Sequence, residues 1–424
     1  MDKFVIRGGN PLVGTIRVSG AKNSALPCMA AAILTEEEVT LENIPQVRDI
    51  ETERKLLVAM GAEVELAGAA DNSTRINFRT LSNPEAKYEI VKTMRASSLV
   101  LGPLVARAGM ARVAMPGGCA IGGRPIDLHI KGLEKMGATI AQEHGYLEAR
   151  ADKLNGAHIV FDKITVTGTE DLLMAAVLAD GETLMENCAR EPEVTDLAAL
   201  LTAMGAKIEG GGTSTIRVQG VSSLRGAHYR INPDRIEAGT LLVAGAITAG
   251  DLTVAGCNPE HLGAVISKLQ EAGARIEILD PDSVRVRSDG KLKAADISTE
   301  EYPGFPTDMQ AQYMALATQS EGVSLVKENI FENRFMHVQE LVRMGANIKV
   351  DGRTATVRGP APLSAAAVMC SDLRASASLV LAALVADGES ILDRVYHMDR
   401  GYEHIEQKLE SVGAQIRRMG NVFG

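Results

Sequence analysis

The chain has 424 residues, with 44 lysines and arginines against 54 aspartates and glutamates, and a formal net charge of −10. Hydrophobic residues make up 46% of it, which suffices for a sizeable core and argues against a disordered chain. Aromatic residues make up only 3%, and this scarcity, with the acidic balance, argues against nucleic-acid binding through base stacking or phosphate contacts. At this length two or three domains are expected.

The cysteines and the N-terminus indicate the compartment. The five cysteines are far apart and form no CxxC pair, so neither a disulfide scaffold nor a zinc site is predicted. The N-terminal residues contain no apolar signal core, and no apolar run is long enough to span a bilayer. We therefore expect a cytoplasmic protein without a metal, a cofactor, a nucleic-acid partner or a membrane partner.

One short phrase recurs six times along the chain. A helical pattern ends in Met-Gly-Ala or a close variant, and an Ala-x-Ile or Ala-x-Val strand start follows. The glycines lie 68–76 residues apart, at Gly61, Gly137, Gly205, Gly273, Gly345 and Gly413. Glycine suits a helix that ends in the left-handed region and turns at once into a strand.

A second phrase consists of small and apolar residues. It occurs at residues 95–101, 237–243, 308–313 and 374–381. These segments are apolar on more than one face, which predicts buried helices. Alternating strands such as Ser283–Arg287, and a hairpin centred on Asp351-Gly352, close the units. We expect an α/β protein of six strand–helix–strand–helix–hairpin units.

The units are longer than solenoid repeats, which usually have about 20–50 residues, and they can form either an open solenoid or closed groups. The loops after the strands differ sharply between copies, at residues 43–47, 117–123, 187–191, 329–333 and 396–400. A scaffold that only binds partners would repeat its loops, whereas an enzyme specialises them. The loops therefore favour an enzyme.

Cys119 lies in the most specific loop of the chain. Four glycines surround it, and Arg124 follows five residues later. This setting predicts an exposed loop with a reactive thiol of lowered pKa. The glycine spacing is not that of a dinucleotide-binding fingerprint. The other four cysteines are interpreted as structural residues: Cys28, Cys188, Cys257 and Cys370.

Cationic residues at strand–loop–helix junctions form a second group of candidates. They are Lys22, which with Asn23 opens an apolar helix, and Arg95, Arg124, Arg374 and Arg400. Each alone is more often part of a solvated face or an ion pair. Together they indicate an anion site, because arginine binds phosphate or carboxylate with a planar fork and lysine acts as a point charge.

Asp308 lies where a helix is expected to begin, in Phe305-Pro306-Thr307-Asp308. An aspartate there can be an N-cap, or it can be a general base for a substrate hydroxyl, and the sequence leaves both interpretations open. Asp372 and Arg374 are secondary site candidates. No HExxH metal motif occurs.

These motifs resemble the enolpyruvyl transferase family, in particular the branch whose acceptor is UDP-N-acetylglucosamine (UDP-GlcNAc). The resemblance runs from end to end and rests on residues 20–23, 92–97, 116–129, 305–308, 331–334 and 399–402. It implies two inside-out α/β barrel domains of three units each, with the active site in the cleft between them. The first domain is residues 21–232, with the Cys119 loop, and the second is residues 1–20 with 233–424.

The resemblance also implies a reaction. The enolpyruvyl group of phosphoenolpyruvate passes to the 3′-hydroxyl of UDP-GlcNAc through a tetrahedral ketal, and phosphate is released. This is the first committed step of bacterial peptidoglycan synthesis, and thus serves cell-wall biogenesis, cell shape and cell division. Asp308 would take the hydroxyl proton, and Cys119 would act as an acid or assist product release.

The resemblance assigns these site residues, with Lys22, Cys119, Asp308 and Arg400 as catalytic residues. Those implied for phosphoenolpyruvate are Lys22, Asn23, Arg124 and Arg400. Those implied for UDP-GlcNAc are Asn23, Arg95, Arg124, Pro125, Ile126, Asp127, Leu128, Lys163, Thr165, Val166, Asp308 and Ile330. Cysteine rather than aspartate at position 119 predicts alkylation by the epoxide fosfomycin.

This interpretation has two alternatives. The sister enolpyruvyl transferase acts on shikimate 3-phosphate, but it lacks the cysteine loop at residues 117–129. A non-catalytic repeat scaffold would need neither Cys119 nor Asp308.

Overall fold

The computed structural model describes residues 2–66, 72–92, 94–115 and 126–420. This part of the chain contains 24 strands and 13 α-helices. The strands are β1 (Lys3–Arg7), β2 (Val13–Arg17), β3 (Val39–Glu42), β4 (Glu63–Leu66), β5 (Thr74–Asn77), β6 (Glu85–Ala86), β7 (Met110–Ala114), β8 (Thr139–Glu143), β9 (Tyr146–Arg150), β10 (His158–Val160), β11 (Glu182–Glu186), β12 (Lys207–Glu209), β13 (Thr215–Gln219), β14 (His228–Arg230), β15 (Asp251–Ala255), β16 (Arg275–Asp280), β17 (Ser283–Arg287), β18 (Ile297–Ser298), β19 (Gly322–Lys327), β20 (Asn347–Asp351), β21 (Thr354–Gly359), β22 (Ala367–Met369), β23 (Glu389–Asp393) and β24 (Gln415–Met419). The helices are α1 (Lys22–Ala31), α2 (Arg48–Met60), α3 (Tyr88–Val91), α4 (Leu101–Ala108), α5 (Asp127–Lys135), α6 (Val166–Ala176), α7 (Pro192–Ala203), α8 (Arg235–Ile247), α9 (Gly263–Glu271), α10 (Gln310–Ala317), α11 (Val338–Arg343), α12 (Leu373–Ala383) and α13 (Ile405–Glu410).

The six recurring glycines end helices, as the sequence predicts. All six have a positive φ, between +95° and +111°. Gly61, for example, lies between the end of α2 at Met60 and the start of β4 at Glu63. Because L-residues with side chains are strained at such φ values, glycine allows the immediate change from helix to strand.

The hairpin of β20 and β21 forms as predicted, but its turn is displaced by one residue. Asp351 pairs with Thr354, so the two turn residues are Gly352 and Arg353 rather than Asp351 and Gly352. Gly352 has a φ of +56°. A two-residue hairpin turn favours a positive φ at its first central position, which glycine supplies, and Asp351 remains in the strand.

The chain divides into two compact units, with boundaries after Ser19 and after Asn232. We call residues 20–115 and 126–232 the middle unit, and residues 2–19 and 233–420 the terminal unit. In strand order, the sheets of the middle unit are β14-β3-β5-β4, β6-β7-β9-β8 and β10-β11-β13-β12. Those of the terminal unit are β22-β23-β1-β24, β16-β17-β15-β2 and β18-β19-β21-β20.

Each of these sheets is mixed. In the third sheet of the middle unit, β10 and β11 are parallel, whereas β13 is antiparallel to both β11 and β12. A parallel pair requires a crossover, which α6 provides, and an antiparallel pair can be joined by a hairpin. The predicted α/β class is therefore confirmed.

The N-terminal segment completes two sheets of the terminal unit. Strand β1 lies between β23 and β24 and is antiparallel to both. Strand β2 is parallel to β15 at the edge of a second sheet. The first and last parts of the sequence are thereby held in the same unit.

The small, apolar helices are buried. All eight residues of α10 and ten of the eleven residues of α12 are buried in the terminal unit. In the middle unit, a Cβ at Gly102 of α4 would lie 2.3 Å from the carbonyl oxygen of Asp171 in α6. Such close packing needs small side chains, which accounts for the scarcity of aromatic residues. Among the helices described, none is long and apolar enough to cross a membrane.

Candidate active site

Asp308 lies in a 3-10 turn, Thr307–Met309, that leads directly into α10. Its carboxylate caps neither the turn nor the helix, whose N-cap positions belong to other residues. Instead Oδ1 accepts a hydrogen bond from Arg334 Nη2 at 2.7 Å, and Oδ2 accepts one from Arg374 Nε at 3.1 Å. The N-cap interpretation is therefore wrong, because the side chain is turned towards two arginines instead of the helix backbone.

Arg374 is the second residue of α12 and is only 4% exposed. Its Nη2 lies 3.0 Å from Asp308 Oδ2, and its guanidinium carbon lies 5.3 Å from the centre of the Tyr402 ring. Burial alone would lower the pKa of Arg374, but the charge of Asp308, helped by Tyr402 and Asp234, raises the pKa above its ordinary value. Arg374 therefore stays positively charged despite its burial.

The other secondary candidate, Asp372, is the N-cap of α12. Its Oδ1 accepts hydrogen bonds from the backbone N–H groups of Arg374 and Ala375, both at 3.0 Å. These contacts fix the start of the helix that carries Arg374. Asp372 thus supports the position of Arg374 through the backbone.

Arg334, which is not among the site residues predicted from the sequence, completes the ion-pair cluster. It is 6% exposed, and its Nη1 donates a hydrogen bond to Thr307 Oγ1 at 2.8 Å. Its guanidinium carbon also lies 5.1 Å from the centre of the Phe331 ring. The signal in the sequence was the motif Phe331-Glu332-Asn333-Arg334, whose arginine follows a strand but is not part of an amphipathic face.

Ile330, a candidate for the sugar nucleotide, lies three residues beyond the end of β19 and is partly buried. Its backbone N–H donates a hydrogen bond to Glu328 Oε1 at 2.9 Å. The other oxygen of Glu328 accepts a hydrogen bond from Thr307 Oγ1, also at 2.9 Å. One buried carboxylate therefore holds both the Ile330 loop and the turn that carries Asp308.

The backbone of Asp308 has its own support in the core of the terminal unit. Gln312 Nε2 donates a hydrogen bond to the carbonyl oxygen of Asp308 at 2.8 Å and lies 3.2 Å from the hydroxyl oxygen of Tyr402. Tyr402 is the same ring that Arg374 contacts. Side chain and backbone of Asp308 are thus both fixed.

Arg400, a predicted catalytic residue, is the last residue of the 3-10 turn Val395–Arg400 and is partly buried. The residue before it, Asp399, accepts a hydrogen bond from Arg418 Nη1 at 3.1 Å. Arg418 also donates to Glu406 at 2.9 Å, which ties the turn to α13. The turn that presents Arg400 is therefore held by an ion-pair network.

In the middle unit, Lys22 is the first residue of α1, as predicted, and its Nζ lies 3.1 Å from Asp49 Oδ2. The two side chains are only 12% and 5% exposed. Glu53 lies one turn further along α2, and burial, together with the charge of Asp49, raises its pKa to about 8. The ionic partner of Lys22 is therefore Asp49, and the raised pKa of Glu53 favours its neutral form.

Gly20 lies shortly before α1, where its backbone packs closely against the backbone of Asn43. A Cβ at this position would lie 1.7 Å from the carbonyl oxygen of Asn43. Asn43 Nδ2 in turn donates to the carbonyl oxygen of Ile231 at 2.9 Å. Only glycine fits here, which explains the glycine of the motif at residues 20–23.

Three candidates for the sugar nucleotide precede or open α6. Lys163 is exposed in the preceding loop, and Val166 is the first residue of the helix. Thr165 is the N-cap, and its Oγ1 accepts a hydrogen bond from Gly168 N at 3.1 Å. The Thr165 hydroxyl thus has a structural role in this helix start.

Four further candidates lie at other helix starts of the middle unit. Asn23 is the partly exposed second residue of α1. Ile126, 7% exposed, is the N-cap residue of α5, and Asp127 is the exposed first residue of that helix. Leu128 packs, partly buried, against the hydrophobic core.

Cys119, Arg124 and Pro125 lie outside the described residues, as does the side chain of Arg95, whose backbone begins the 3-10 turn Arg95–Val100. The remaining four cysteines are free and buried, and the structural interpretation given to them is confirmed. Burial raises the pKa of Cys28, and it raises those of Cys188, Cys257 and Cys370 to about 12, 11 and 11. Such thiols are poor nucleophiles.

The terminal unit thus presents a carboxylate fixed by two buried arginines, and the middle unit presents a partly buried lysine. A carboxylate held in this way can accept a proton from a hydroxyl group, and a lysine can bind an anion. Across the described ranges, no group of three or more His, Cys, Asp or Glu residues could hold a metal ion.

Comparison with known proteins gives the family. Residues 6–409 match the family model of EPSP synthase (3-phosphoshikimate 1-carboxyvinyltransferase), and the chain belongs to this family. The predicted family resemblance is confirmed.

Individual relatives are more specific. The chain is 80% identical over 424 residues to the UDP-N-acetylglucosamine 1-carboxyvinyltransferase of Acidobacterium capsulatum, covering 100% of this chain and 97% of that protein. It is 73% identical to the enzyme of the same name from Koribacter versatilis, covering 100% and 98%.

Among solved structures, the enolpyruvyl transferase NikO from Streptomyces tendae superposes with a TM-score of 0.89 at 26% identity, covering 99% of both chains. EPSP synthase from Acinetobacter baumannii superposes with a TM-score of 0.74 at 19% identity, covering 99% of this chain and 100% of that one. The second likeness concerns the fold alone.

Proposed function

We propose that the protein transfers the enolpyruvyl group of phosphoenolpyruvate to the 3′-hydroxyl of UDP-GlcNAc and releases phosphate. The observation that carries the choice of acceptor is the 80% identity, over the whole chain, to an enzyme named for UDP-N-acetylglucosamine. The family model is described by 3-phosphoshikimate instead, so this compound is the second candidate acceptor.

The reaction proceeds by addition and elimination. A proton is added to C3 of phosphoenolpyruvate, the sugar oxygen forms a bond to C2, and the hydroxyl proton passes to Asp308. The product of this step is a tetrahedral ketal. C3 then gives up a proton, the C2–O bond to phosphate breaks, and the C2–C3 double bond forms again.

Asp308 is the proposed base for the sugar hydroxyl. Two guanidiniums hold its oxygens, at 2.7 Å from Arg334 and 3.1 Å from Arg374, and its side chain remains 26% exposed. The sugar hydroxyl becomes more acidic as the new C–O bond forms, and Asp308 takes its proton in that step. General base catalysis is worth about 10²–10⁴-fold in rate.

Cationic groups are proposed to bind phosphoenolpyruvate, whose carboxylate and phosphate lie close together. They are Lys22, Arg124 and Arg400, and the neutral amide of Asn23 is proposed to bind beside them. Arginine can bind each anionic group with two parallel hydrogen bonds, and lysine contributes a point charge. Preorganised charges of this kind also stabilise the developing oxocarbenium-like transition state and the departing phosphate.

The sugar nucleotide is proposed to contact residues near helix starts, in the Ile330 loop and in the turn that carries Asp308. Those residues are Asn23, Arg95, Arg124, Pro125, Ile126, Asp127, Leu128, Lys163, Thr165, Val166, Asp308 and Ile330. Many of them present backbone N–H groups or cationic side chains, which suit the diphosphate.

Cys119 is proposed to act as the acid towards C3 or in product release, and to be the target of fosfomycin. Its thiolate would attack an epoxide carbon, form a C–S bond and open the ring. The Cys119→Ser protein should therefore gain no mass on incubation with fosfomycin. An unchanged adduct on that variant would place the reactive thiol elsewhere.

Each compact unit is proposed to be an inside-out α/β barrel of three repeats. Three mixed sheets in each unit, with buried helices such as α10 and α12, support this arrangement. The reaction is proposed to take place in the bacterial cytoplasm as the first committed step of peptidoglycan synthesis.

The proposed function is tested by incubating the protein with phosphoenolpyruvate and UDP-GlcNAc. Phosphate should be released in a 1:1 ratio to a sugar nucleotide whose mass has increased by one enolpyruvyl group. If no phosphate is released and the sugar nucleotide keeps its mass, the proposal is refuted.

A further inference from the structure

Glu328 is a buried carboxylate that has no role in the reaction proposed above. It directly follows β19 and is 1% exposed. Its Oε1 accepts hydrogen bonds from Thr299 Oγ1 at 2.8 Å and from the backbone N–H groups of Ile330 and Phe331 at 2.9 and 3.1 Å. Its Oε2 accepts one from Thr307 Oγ1 at 2.9 Å. Four donors thus compensate for its burial.

The fold explains why this carboxylate lies here. Strands β18 and β19 are parallel neighbours, with Ser298 opposite Lys327. Thr299 directly follows β18, and Glu328 directly follows β19. Both residues therefore lie at the carboxyl ends of adjacent parallel strands. Loops that leave this edge of the sheet carry the turn of Asp308 and the segment of Ile330.

Thr307 connects Glu328 to the ion-pair cluster. Its hydroxyl has one proton, which it donates to Glu328 Oε2, and its oxygen accepts a hydrogen bond from Arg334 Nη1 at 2.8 Å. Because a guanidinium can only donate and an ionised carboxylate can only accept, the direction of this chain is fixed. Arg334 Nη2 then donates to Asp308 Oδ1 at 2.7 Å.

We propose that Glu328 is a positioning residue for enolpyruvyl transfer, which orients Asp308 through Thr307 and Arg334. This inference rests on the proposed role of Asp308 as the base. Glu328 does not touch the reacting atoms. It selects the hydroxyl orientation of Thr307, which places the Arg334 fork against one oxygen of Asp308 and leaves the carboxylate in one orientation.

The chemistry of the side chain explains why a carboxylate is needed. A glutamine at position 328 has one acceptor oxygen and one NH₂ group, which can only donate. If the oxygen keeps the three donors of Oε1, the NH₂ group faces the Thr307 hydroxyl, which already accepts from Arg334. The hydroxyl oxygen can then accept from both groups, but its proton no longer has a carboxylate acceptor, so the orientation of the Thr307 hydroxyl is no longer fixed by residue 328.

The test uses variants of Thr307 in the full chain, since they leave Glu328 and Asp308 in place. Thr307→Val has nearly the same shape but no hydroxyl, and we expect kcat to fall about 10–100-fold, since small misplacements of a catalytic group cost up to about 10² in rate. The KM for phosphoenolpyruvate should change less than about threefold, because the assigned cations are untouched. The kcat of Thr307→Ser should be at least tenfold higher than that of Thr307→Val.

Thr299→Val is the matched control. It removes a buried hydroxyl that donates to Glu328 Oε1 and accepts from the Asn329 N–H, whereas the Thr307 hydroxyl donates to Oε2. If the effect of Thr307→Val came from lost stability alone, both variants would lose kcat in proportion to their loss in midpoint of urea unfolding. Equal kcat losses at equal midpoints would overturn the proposal, and so would an unchanged kcat in Thr307→Val.

Two further measures separate this proposal from the proposed function. All variants are assayed with whichever acceptor the wild-type protein uses, UDP-GlcNAc or shikimate 3-phosphate, so that a different acceptor refutes only the proposed function. A crystal structure of Thr307→Val gives a result without any acceptor. Arg334 should no longer donate to Asp308 Oδ1 in it, and an unchanged pairing would overturn the proposal.

Discussion

Replacement of Asp308 by asparagine tests the base and the ion-pair cluster together. Asparagine has nearly the same shape, but it carries no charge and cannot accept the hydroxyl proton. Its NH₂ group would also face one of the two guanidiniums. Arg334 and Arg374, which are 6% and 4% exposed, would then be left as buried positive charges without their common partner.

The magnitude of both effects follows from this geometry. Breaking a buried ion pair by removing one partner costs about 3–5 kcal/mol. Asp308 is 26% exposed, so we expect the lower end, about 3 kcal/mol. For a unit of about 200 residues this corresponds to a fall in Tm of about 6–12 °C. Loss of the general base should lower kcat by about 10²–10⁴-fold.

The assay measures initial rates of phosphate release at a temperature at which circular dichroism shows Asp308→Asn to be fully folded. Asp351→Asn is the matched control, because Asp351 is exposed on a hairpin of the same unit. The control should retain both kcat and Tm. A kcat of Asp308→Asn within threefold of wild type would refute the role of Asp308 as the base, whatever its Tm.

Three further predictions concern stability. The pKa of Glu53 is raised to about 8 in the folded protein, above an ordinary value of 4.5, by burial and by Asp49, so its contribution to stability is complete below about pH 4.5 and is lost as the pH rises towards 8. Between these pH values the free energy of unfolding of Glu53→Gln should therefore fall less than that of the wild type, by at most about 5 kcal/mol. Urea titrations at several pH values measure this difference, and an unchanged slope would contradict the assignment. Gly20→Ala should destabilise the protein by about 3 kcal/mol, since its Cβ would lie 1.7 Å from the Asn43 carbonyl oxygen, and a wild-type urea midpoint would show that the segment can shift freely. Asp372→Ala should remove the cap of α12 and cost about 1 kcal/mol, seen by calorimetry, with a far smaller loss of kcat than Asp308→Asn; an equal loss of kcat would show that Asp372 does more than cap the helix.

The periodic features of the fold could be predicted from the sequence because each has a local cause. The six glycines ended helices as expected, since a positive φ is a property of the residue and its immediate neighbours. The buried helices could be predicted from their small, apolar composition. The turn of the hairpin at Gly352 was displaced by one residue, because strand register is decided by pairing across the sheet.

The site was only partly predictable, because its members meet through tertiary contacts. Asp308 and Arg374 could be selected one by one, but their pairing joins two different helix starts and has no signal in spacing. For the same reason, the two interpretations of Asp308 could not be separated from the sequence. Arg334 and Glu328 were missed, since a single charged residue after a strand usually lies on a solvated surface.

The central claim is the transfer of an enolpyruvyl group to UDP-GlcNAc, and a comparison of two acceptors tests it most directly. The wild-type protein is incubated with phosphoenolpyruvate and either UDP-GlcNAc or shikimate 3-phosphate, and phosphate release is followed. We predict release with UDP-GlcNAc and none above background with shikimate 3-phosphate. Release with shikimate 3-phosphate alone would contradict the account.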